Sequence, residues 1–206
     1  ELLRIVEERD ADEDQKMIFE INSGVYVFDG KLLAGAIGKL SDSNSQGELY
    51  LTDVIEIMRK EGASIAAAMI DDFIEILGVN DRVQLAESAA LLRDRINENL
   101  MKSGVTITDP TTTWVDATAT IASDVTLLPG SAIAGNTKIE SGAIIGPRTT
   151  LIDCTVGAGA NVIESYCTAS AIGSEASVGP FTFLRAGTDL GAHTRAGAFV
   201  EMKNST

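Results

Sequence analysis

Few side chains in this sequence can act as nucleophiles or bind transition metals. The 206 residues contain two cysteines, Cys154 and Cys167, and one histidine, His193. A zinc hydratase of the γ-carbonic-anhydrase kind needs three histidine ligands, so one chain of this sequence cannot form that site. The cysteines lie in a repetitive region that needs no disulfide, which predicts free thiols and a reducing compartment. We interpret His193 as an exposed residue of the repeat.

The overall charge limits the function further. Thirty acidic residues oppose sixteen basic ones, giving a net charge of −14. General nucleic-acid binding needs a basic surface that displaces counterions, and this chain is acidic. No apolar segment approaches the roughly 20 residues that span a bilayer, and no signal-peptide pattern is present. The composition predicts a cytoplasmic protein that binds neither nucleic acid nor membranes.

A six-residue repeat of branched aliphatic residues runs through the second half of the chain. Its members are Val115, Ile121, Leu127, Ile133, Ile139, Ile145 and Leu151, then Val156, Val162, Ile172, Val178, Leu184, Leu190, Ala196 and Met202. Small residues recur four positions after most of them: Ala119, Val125, Ser131, Thr137, Ala143, Thr149, Thr155, Ala176, Thr182, Thr188 and Thr194. A helix of 3.6 residues per turn would spread such a repeat around its whole surface. The period predicts a solenoid of short strands with three sides per coil.

The repeat is interrupted twice, between Leu151 and Val156 and between Val162 and Ile172. We expect residues 165–171 in the second interruption to form a loop that leaves the coil.

The first half alternates segments typical of strands and helices. Residues 17–29 predict a strand, a turn at Asn22 and a second strand, and residues 64–70 predict another strand. Helices are expected over 31–40 and within 46–60, the latter capped by Thr52. This alternation favours an open α/β sheet covered by helices.

The clearest helix of the sequence is predicted between these halves, over residues 82–102. Its apolar stripe is Leu85, Ala89, Leu92, Ile96 and Leu100. Asp81 and Gln84 have the spacing of a capping box, and Gly104 suits the position after the C-terminal cap. We interpret this helix as a linker between the sheet domain and the solenoid.

Five motifs, in order along the chain, carry a family resemblance. They are NSGVYVF at 22–28, QGELYLTDV at 46–54, GVNDRVQL at 78–85, GPFTFLR at 179–185 and FVEMKN at 199–204. Together they resemble the bifunctional bacterial N-acetylglucosamine-1-phosphate uridylyltransferase and glucosamine-1-phosphate N-acetyltransferase, over essentially the whole chain.

The resemblance implies a fold, two reactions and a set of partners. The expected fold class is α/β plus all-β: the C-terminal part of a Rossmann-like nucleotide-sugar transferase domain (1–81), a linker helix (82–104) and a left-handed parallel β-helix of hexapeptide repeats (105–206). The β-helix would form a homotrimer and acetylate glucosamine 1-phosphate with acetyl-CoA as donor. The first domain would join UTP to N-acetylglucosamine 1-phosphate, with Mg²⁺, to make UDP-N-acetylglucosamine for cell-wall synthesis.

In the uridylyltransferase site, the resemblance assigns sugar contacts to Glu7, Asn22, Tyr50 and Thr52. Carboxylate and amide groups suit sugar hydroxyls and an N-acetyl group. The alternatives are a local turn for Asn22, core packing for Tyr50 and a helix cap for Thr52. We expect Glu7, Asn22 and Asn80 to converge on one cleft.

Asn80 corresponds to the family position that binds UDP-N-acetylglucosamine and helps to hold Mg²⁺ against the phosphates. One amide oxygen is a reasonable share of an octahedral Mg²⁺ site that keeps several waters. The alternative for Asn80 and Asp81 is to cap the following helix.

Arg185 and Lys203 correspond to positions that bind the sugar phosphate in the acetyltransferase site. A guanidinium grips phosphate through two hydrogen bonds and an ammonium acts as a point charge. The alternative is a pair of solvated surface cations. The family's Leu-Arg-Pro-Gly is Leu-Arg-Ala-Gly here, at 184–187, which we expect to loosen the loop around Arg185.

The resemblance places the catalytic histidine of the acetyltransferase after residue 206, and the glycine-rich nucleotide loop before residue 1. No catalytic residue is therefore predicted within the chain. Two other classes stay open: a sugar-phosphate nucleotidyltransferase with a non-catalytic β-helix for oligomerisation, and a solenoid that serves only as a scaffold.

Overall fold

The computed structural model describes residues 2–206, which form two compact units, one up to Gly78 and one from Val79 onward. Each unit has its own buried apolar cluster. We describe them separately.

The second unit is a parallel β-solenoid of 17 short strands that form three sheets of six, six and five strands. The first sheet contains β1 (Thr106–Ile107), β4 (Thr126–Leu127), β7 (Ile144–Ile145), β10 (Asn161–Val162), β13 (Ser177–Val178) and β16 (Arg195–Ala196). The second contains β2 (Trp114–Val115), β5 (Ala132–Ala134), β8 (Thr150–Ile152), β11 (Tyr166–Thr168), β14 (Phe183–Leu184) and β17 (Glu201–Met202). The third contains β3 (Thr120–Ile121), β6 (Lys138–Ile139), β9 (Thr155–Val156), β12 (Ala171–Ile172) and β15 (Asp189–Leu190).

The aliphatic repeat forms the core of this solenoid. Leu127, Ile145 and Leu151 are completely buried, and the other repeat residues from Val115 to Ala196 are at most 9% exposed. The small residues are buried two positions before each aliphatic one, where the chain turns from one side to the next. The predicted solenoid architecture is therefore confirmed, although its handedness stays a prediction.

The predicted loop at 165–171 is wrong. This segment stays in the coil: Tyr166–Thr168 is β11, and Cys167 is the completely buried inward residue of that side. The interruptions are sides of five residues instead of six, ending at Val156, Cys167 and Ile172. A side shorter by one residue still pairs with the coils before and after it, so Cys167 lies in register with Leu151 and Leu184.

The shortening also changes which residue fills the small position. Cys154 is completely buried there, two residues before Val156, whereas Thr155 is exposed. The sequence assignment of Thr155 to this position is therefore wrong.

The predicted helix over 82–102 is present as α3 (Arg82–Lys102). The Asp81 carboxylate accepts the Gln84 N–H at 2.8 Å, and the Gln84 side chain accepts the Asn80 N–H at 2.7 Å. The capping box thus forms with its second bond shifted by one residue. Gly104 has φ +99°, the left-handed conformation expected after a helix end.

The C-terminal half of α3 packs on the first coils. Ile96 and Leu100 contact the solenoid core. Asn97 is completely buried, and its Nδ2 donates to the carbonyl oxygens of Pro110 (3.0 Å) and Thr113 (2.9 Å). The other side of the predicted stripe is not buried, since Leu85 and Leu92 are more than half exposed.

The first unit is built around two short helices, α1 (Gly30–Ile37) and α2 (Asp53–Lys60). They enclose a small cluster of Ala36, Val54 and Met58. Asp29 caps α1 by accepting the N–H groups of Lys31 and Leu32. Three short 3₁₀ helices also occur: Glu8–Asp10, Gln15–Met17 and Phe73–Ile76.

The strands predicted over 17–29 and 64–70 are absent from residues 2–78. A strand exists only when its backbone pairs with a neighbour, and these segments have none among the described residues of this unit. Their apolar side chains lie open to solvent: Phe19 is 94% and Val27 99% exposed. The described residues therefore show no Rossmann-like sheet.

Candidate functional site

Register brings the two predicted phosphate-binding cations together on the solenoid surface. Phe183 pairs with Glu201 and Leu184 pairs with Met202, so Arg185 and Lys203 follow at matching positions of adjacent coils. The Arg185 N–H donates to the Met202 carbonyl at 2.9 Å, which fixes this alignment. Adjacent strands lie about 4.8 Å apart, a spacing that places both cations beside one phosphate-sized volume.

Two neighbours orient the Arg185 guanidinium. Its Nη1 donates to Glu201 Oε1 at 2.9 Å, and its central carbon lies 5.9 Å from the centre of the Phe183 ring. The Arg185 side chain is 42% exposed and Lys203 is exposed, so both remain accessible to a ligand.

The corner after Arg185 is held firmly without the family's proline. The Thr188 N–H donates to the Arg185 carbonyl at 3.2 Å, and the Gly187 N–H donates to the Ala169 carbonyl at 3.1 Å. Gly187 has φ +78°, and a Cβ on it would lie 2.3 Å from Asn204 Oδ1. Glycine is therefore required at this corner, and the expected loosening around Arg185 is not seen.

An open groove of about 510 Å³ lies beside this pair of coils. Aromatic rings line much of it: Phe181 stacks on Phe199, and Tyr166 meets Phe183 edge-on, each pair with ring centres 5.5 Å apart. The groove also contains the ion pair between Arg148 and Glu164, and it ends at Glu201.

Two of the predicted sugar contacts meet in the first unit. The Thr52 hydroxyl donates to Glu7 Oε1 at 3.0 Å, and Thr52 is buried while Glu7 is partly buried. The side chain of Thr52 makes no capping bond to α2, so the predicted cap is wrong. The hydroxyl holds the Glu7 carboxylate instead.

Tyr50 belongs to a hydrogen-bond network that joins residues 9–10 to residues 45–50. Its hydroxyl accepts from Gln46 Nε2 at 2.8 Å, and Gln46 accepts from Arg9 Nη1 at the same distance. Asp10 accepts the Ser45 N–H at 2.9 Å, and hydrogen bonds from Ser45, with a smaller one from Tyr50, lower the pKa of Asp10. Burial, then the carboxylates of Glu56 and Glu7, raises the pKa of neighbouring Asp53.

The contacts of Asn22 are local. Its Oδ1 accepts the Gly24 N–H at 3.1 Å and its Nδ2 donates to the Tyr26 hydroxyl at 2.6 Å. This is the turn that we kept as the alternative for Asn22. Its exposed position still leaves it open to a ligand.

Asn80 lies in the second unit, directly before α3, whereas Glu7 and Asn22 lie in the first. Their convergence on one cleft therefore stays a prediction. Asn80 offers a single neutral oxygen, and residues 2–206 contain no cluster of three or more His, Cys, Asp or Glu side chains arranged for a metal ion. The described residues do not form a Mg²⁺ site by themselves.

Sequence reasoning missed three residues of these surroundings. Glu201 and Gln46 lie within quoted motifs, at positions where only pairing with a distant segment shows their contacts. Asp10 lies outside the motifs and would have needed the contact with Ser45 to be noticed. His193 is exposed as predicted and pairs with Glu175 at 3.1 Å, a contact away from this surface.

Comparison with known proteins gives consistent relatives. The chain is 52% identical over 205 residues to "Bifunctional protein GlmU" of Rhodococcus jostii, covering 100% of this chain and 41% of that protein. Proteins of the same name from Streptomyces avermitilis and Mycobacterium bovis are each 48% identical, over 98% and 100% of this chain. No family model matches the sequence. The chain spans about two fifths of the length of these curated relatives.

A solved structure gives only a weak likeness. It is the crystal structure of a hexapeptide transferase family protein from Anaplasma phagocytophilum, 17% identical with a TM-score of 0.24, over 48% of this chain and 77% of that one. A likeness of this size carries no argument.

The second unit is thus a hexapeptide-repeat β-solenoid by its own strand register. The sequence resemblance is also confirmed along the whole chain, and we assign the chain to the family of the bifunctional GlmU proteins, as a segment of such a protein. Among residues 2–206, no helix is both long and apolar enough to cross a membrane.

Proposed function

We propose that this chain supplies parts of two sites of a bifunctional enzyme that makes UDP-N-acetylglucosamine. One site transfers the acetyl group of acetyl-CoA to glucosamine 1-phosphate. The other transfers a uridylyl group from UTP to N-acetylglucosamine 1-phosphate and releases pyrophosphate. The observation that carries this proposal is the pairing of Arg185 with Lys203 across adjacent coils, within a chain that matches GlmU proteins from end to end.

In the acetyltransferase half, Arg185 and Lys203 hold the phosphate of glucosamine 1-phosphate. A phosphate dianion between a guanidinium and an ammonium keeps its charge balanced, and the guanidinium supplies directional hydrogen bonds. A sugar anchored at its phosphate has its amine at a fixed distance from that anchor. These residues would therefore orient the amine toward the acetyl donor.

In the uridylyltransferase half, Glu7, Asn22, Tyr50, Thr52 and Asn80 contribute contacts to the nucleotide sugar. Thr52 occupies one oxygen of the Glu7 carboxylate and leaves the other free to accept a sugar hydroxyl. Mg²⁺ is the proposed cofactor of this half, with Asn80 as one ligand. We derive no step through the ion, because the described residues do not form its site.

The proposal includes an assembly and a location. The chain would work as a homotrimer that associates through a left-handed β-helix, in the cytoplasm. The proposed functional division is residues 1–81, 82–104 and 105–206.

A binding experiment tests the acetyltransferase half. Glucosamine 1-phosphate is titrated into the full chain and into the variants Arg185→Ala and Lys203→Ala, followed by two-dimensional NMR. Each substitution removes a charge-assisted contact, so we expect affinity to fall about 10- to 100-fold. Matched controls are Lys138→Ala and Arg195→Ala, exposed cations elsewhere on the solenoid, which should bind like the parent.

Equal affinity of all five proteins, or no binding by the parent chain, would contradict the phosphate site. The two reactions themselves are assayed on the protein as its gene encodes it. Absence of both acetyl transfer to glucosamine 1-phosphate and pyrophosphate release from UTP would remove the proposed function while leaving the fold intact.

A further inference from the structure

We propose that Glu201 is a positioning residue that fixes the Arg185 guanidinium so that its free edge binds the sugar phosphate. This inference deepens the proposed function and rests on it. Glu201 itself need not touch the phosphate.

The strand register creates a square of four outward side chains. Phe183 and Arg185 lie on one coil, and Glu201 and Lys203 lie at the matching positions of the next. The shortest path for a long Arg185 side chain toward opposite charge is therefore the diagonal one, and it takes that path to Glu201. The guanidinium passes near the Phe183 ring, with its carbon 5.9 Å from the ring centre.

This contact uses only part of what the guanidinium can donate. A guanidinium carries five N–H donors in a rigid plane, and Glu201 accepts from Nη1 at 2.9 Å. The bond fixes the orientation of the plane and leaves Nε and Nη2 available. Those two nitrogens form the edge that grips two phosphate oxygens at once. Lys203, one coil away from Arg185 and outside the diagonal, supplies the second cation.

Stability offers little reason for the carboxylate to be there. The side chains of Arg185 and Glu201 are 42% and 59% exposed, and an exposed ion pair typically contributes under about 1 kcal/mol to folding. A carboxylate beside a phosphate site also repels the ligand. The two effects of Glu201 on binding therefore have opposite signs: a purely electrostatic role predicts tighter binding when the carboxylate is removed, and a positioning role predicts weaker binding.

Two substitutions of Glu201 separate these roles. Glu201→Ala removes the anchor, so the guanidinium must be ordered by the ligand itself. Ordering one such side chain corresponds to an affinity loss of about two- to tenfold for glucosamine 1-phosphate. Glu201→Gln removes the charge but keeps an oxygen that accepts from Nη1, and we expect affinity within about twofold of the parent, because the directing hydrogen bond remains. Glu175→Ala, which removes an exposed carboxylate at another corner, is the control for net charge and should leave affinity unchanged.

A second measurement needs no ligand. The Nε–H signal of Arg185 in the NMR spectrum of the full chain reports how freely the guanidinium rotates. We expect a resolved, slowly exchanging signal in the parent and in Glu201→Gln, and a broadened or averaged one in Glu201→Ala. A structural effect of Glu201 on the coil alone would instead shift backbone signals and leave this contrast absent.

Each outcome has one meaning. Tighter binding by both Glu201 variants, or an Nε–H signal that is the same in all three proteins, overturns the positioning role while the phosphate site stands. Failure of the parent chain to bind glucosamine 1-phosphate overturns the phosphate site and the inference with it. Weaker binding by Glu201→Ala, rescued in Glu201→Gln, supports both.

Discussion

The two units of this chain differ in where their strands find partners. In the solenoid, each strand pairs with the strand of the next coil, 16 to 20 residues later, so β5 pairs with β8 and β8 with β11. In the first unit, the segments predicted as strands have no such neighbour, and Phe19 and Val27 lie almost fully exposed. Similar apolar patterning therefore produces a buried core in one unit and open chain in the other.

The difference lies in how a strand is specified. A hexad repeat contains both the strand and its partner, because every coil presents the same edge to the next. An open sheet needs partners from distant parts of the sequence, and apolar alternation does not reveal which segment supplies them. The solenoid can be predicted from its own residues, whereas the sheet of the first unit cannot.

The largest expected effect comes from cutting the core of the solenoid. Leu151 is completely buried in the middle of its sheet, so Leu151→Ala leaves a cavity, and we expect a loss of about 2–5 kcal/mol in the free energy of unfolding. Urea denaturation followed by circular dichroism measures this change.

The matched substitution in the other unit is Leu49→Ala. Leu49 is 63% exposed, and surface substitutions of this kind usually change stability by less than about 0.5 kcal/mol. Comparable losses from the two substitutions would show that the first unit buries Leu49 in solution and would end the contrast drawn above.

Next in size is the contact that fastens α3 to the first coil. Asn97→Ala removes two hydrogen bonds and leaves the buried carbonyls of Pro110 and Thr113 without that donor, which we expect to destabilise the second unit by about 1–3 kcal/mol. Asn99→Ala, at an exposed position of the same helix, is the control. If both variants unfold at the same urea concentration, α3 is held by its apolar contacts alone.

The two interruptions of the repeat show where sequence reasoning about the fold failed. Aliphatic residues at a period of six were enough to locate every coil except the one that contains Cys167. Cysteine is not a branched aliphatic residue, so its position was read as a gap and filled with a loop. Burial decides the matter: a thiol is small and apolar enough to serve as the inward residue of a five-residue side.

Cys167 also makes the solenoid sensitive to alkaline pH. Burial, and then the neighbouring Cys154, raises the pKa of the Cys167 thiol to about 12. An unfolded thiol ionises near pH 8.5, so the folded chain keeps a proton that the unfolded chain loses. The resulting stability is fully present below about pH 8.5 and is lost between there and pH 12, at up to about 1.4 kcal/mol per pH unit.

Cys167→Val isolates this contribution, because valine is an inward residue of neighbouring coils. Urea midpoints of the parent and the variant are compared from pH 7 to pH 11. We expect the parent to lose stability faster above pH 8.5. Parallel curves would mean that the thiol ionises in the folded state without penalty.

The candidate sites were predicted to different degrees for a physical reason. Arg185 and Lys203 meet because they occupy the same position of consecutive coils, and the repeat period contains that information. Glu7 and Thr52 also meet, although only the family resemblance linked them, since 45 residues separate them and no period relates them. The contact to Glu201 was missed because a side chain that runs diagonally between coils is not implied by register alone.

The smallest expected effect tests whether the first unit has a defined site at all. Thr52→Val keeps the shape of the side chain and removes the hydroxyl that donates to Glu7. Because Glu7 is only partly buried, water can replace part of the lost bond, and we expect a loss of about 0.5–1.5 kcal/mol in the unfolding free energy of this unit. Thr52→Ser retains the hydroxyl and should stay closer to the parent. Hydrogen exchange of the α2 amides measures the change locally, independently of the solenoid. If Val and Ser variants exchange alike, the bond between Thr52 and Glu7 does not order this region, and the first unit would then resemble its unpaired segments more than it resembles the solenoid.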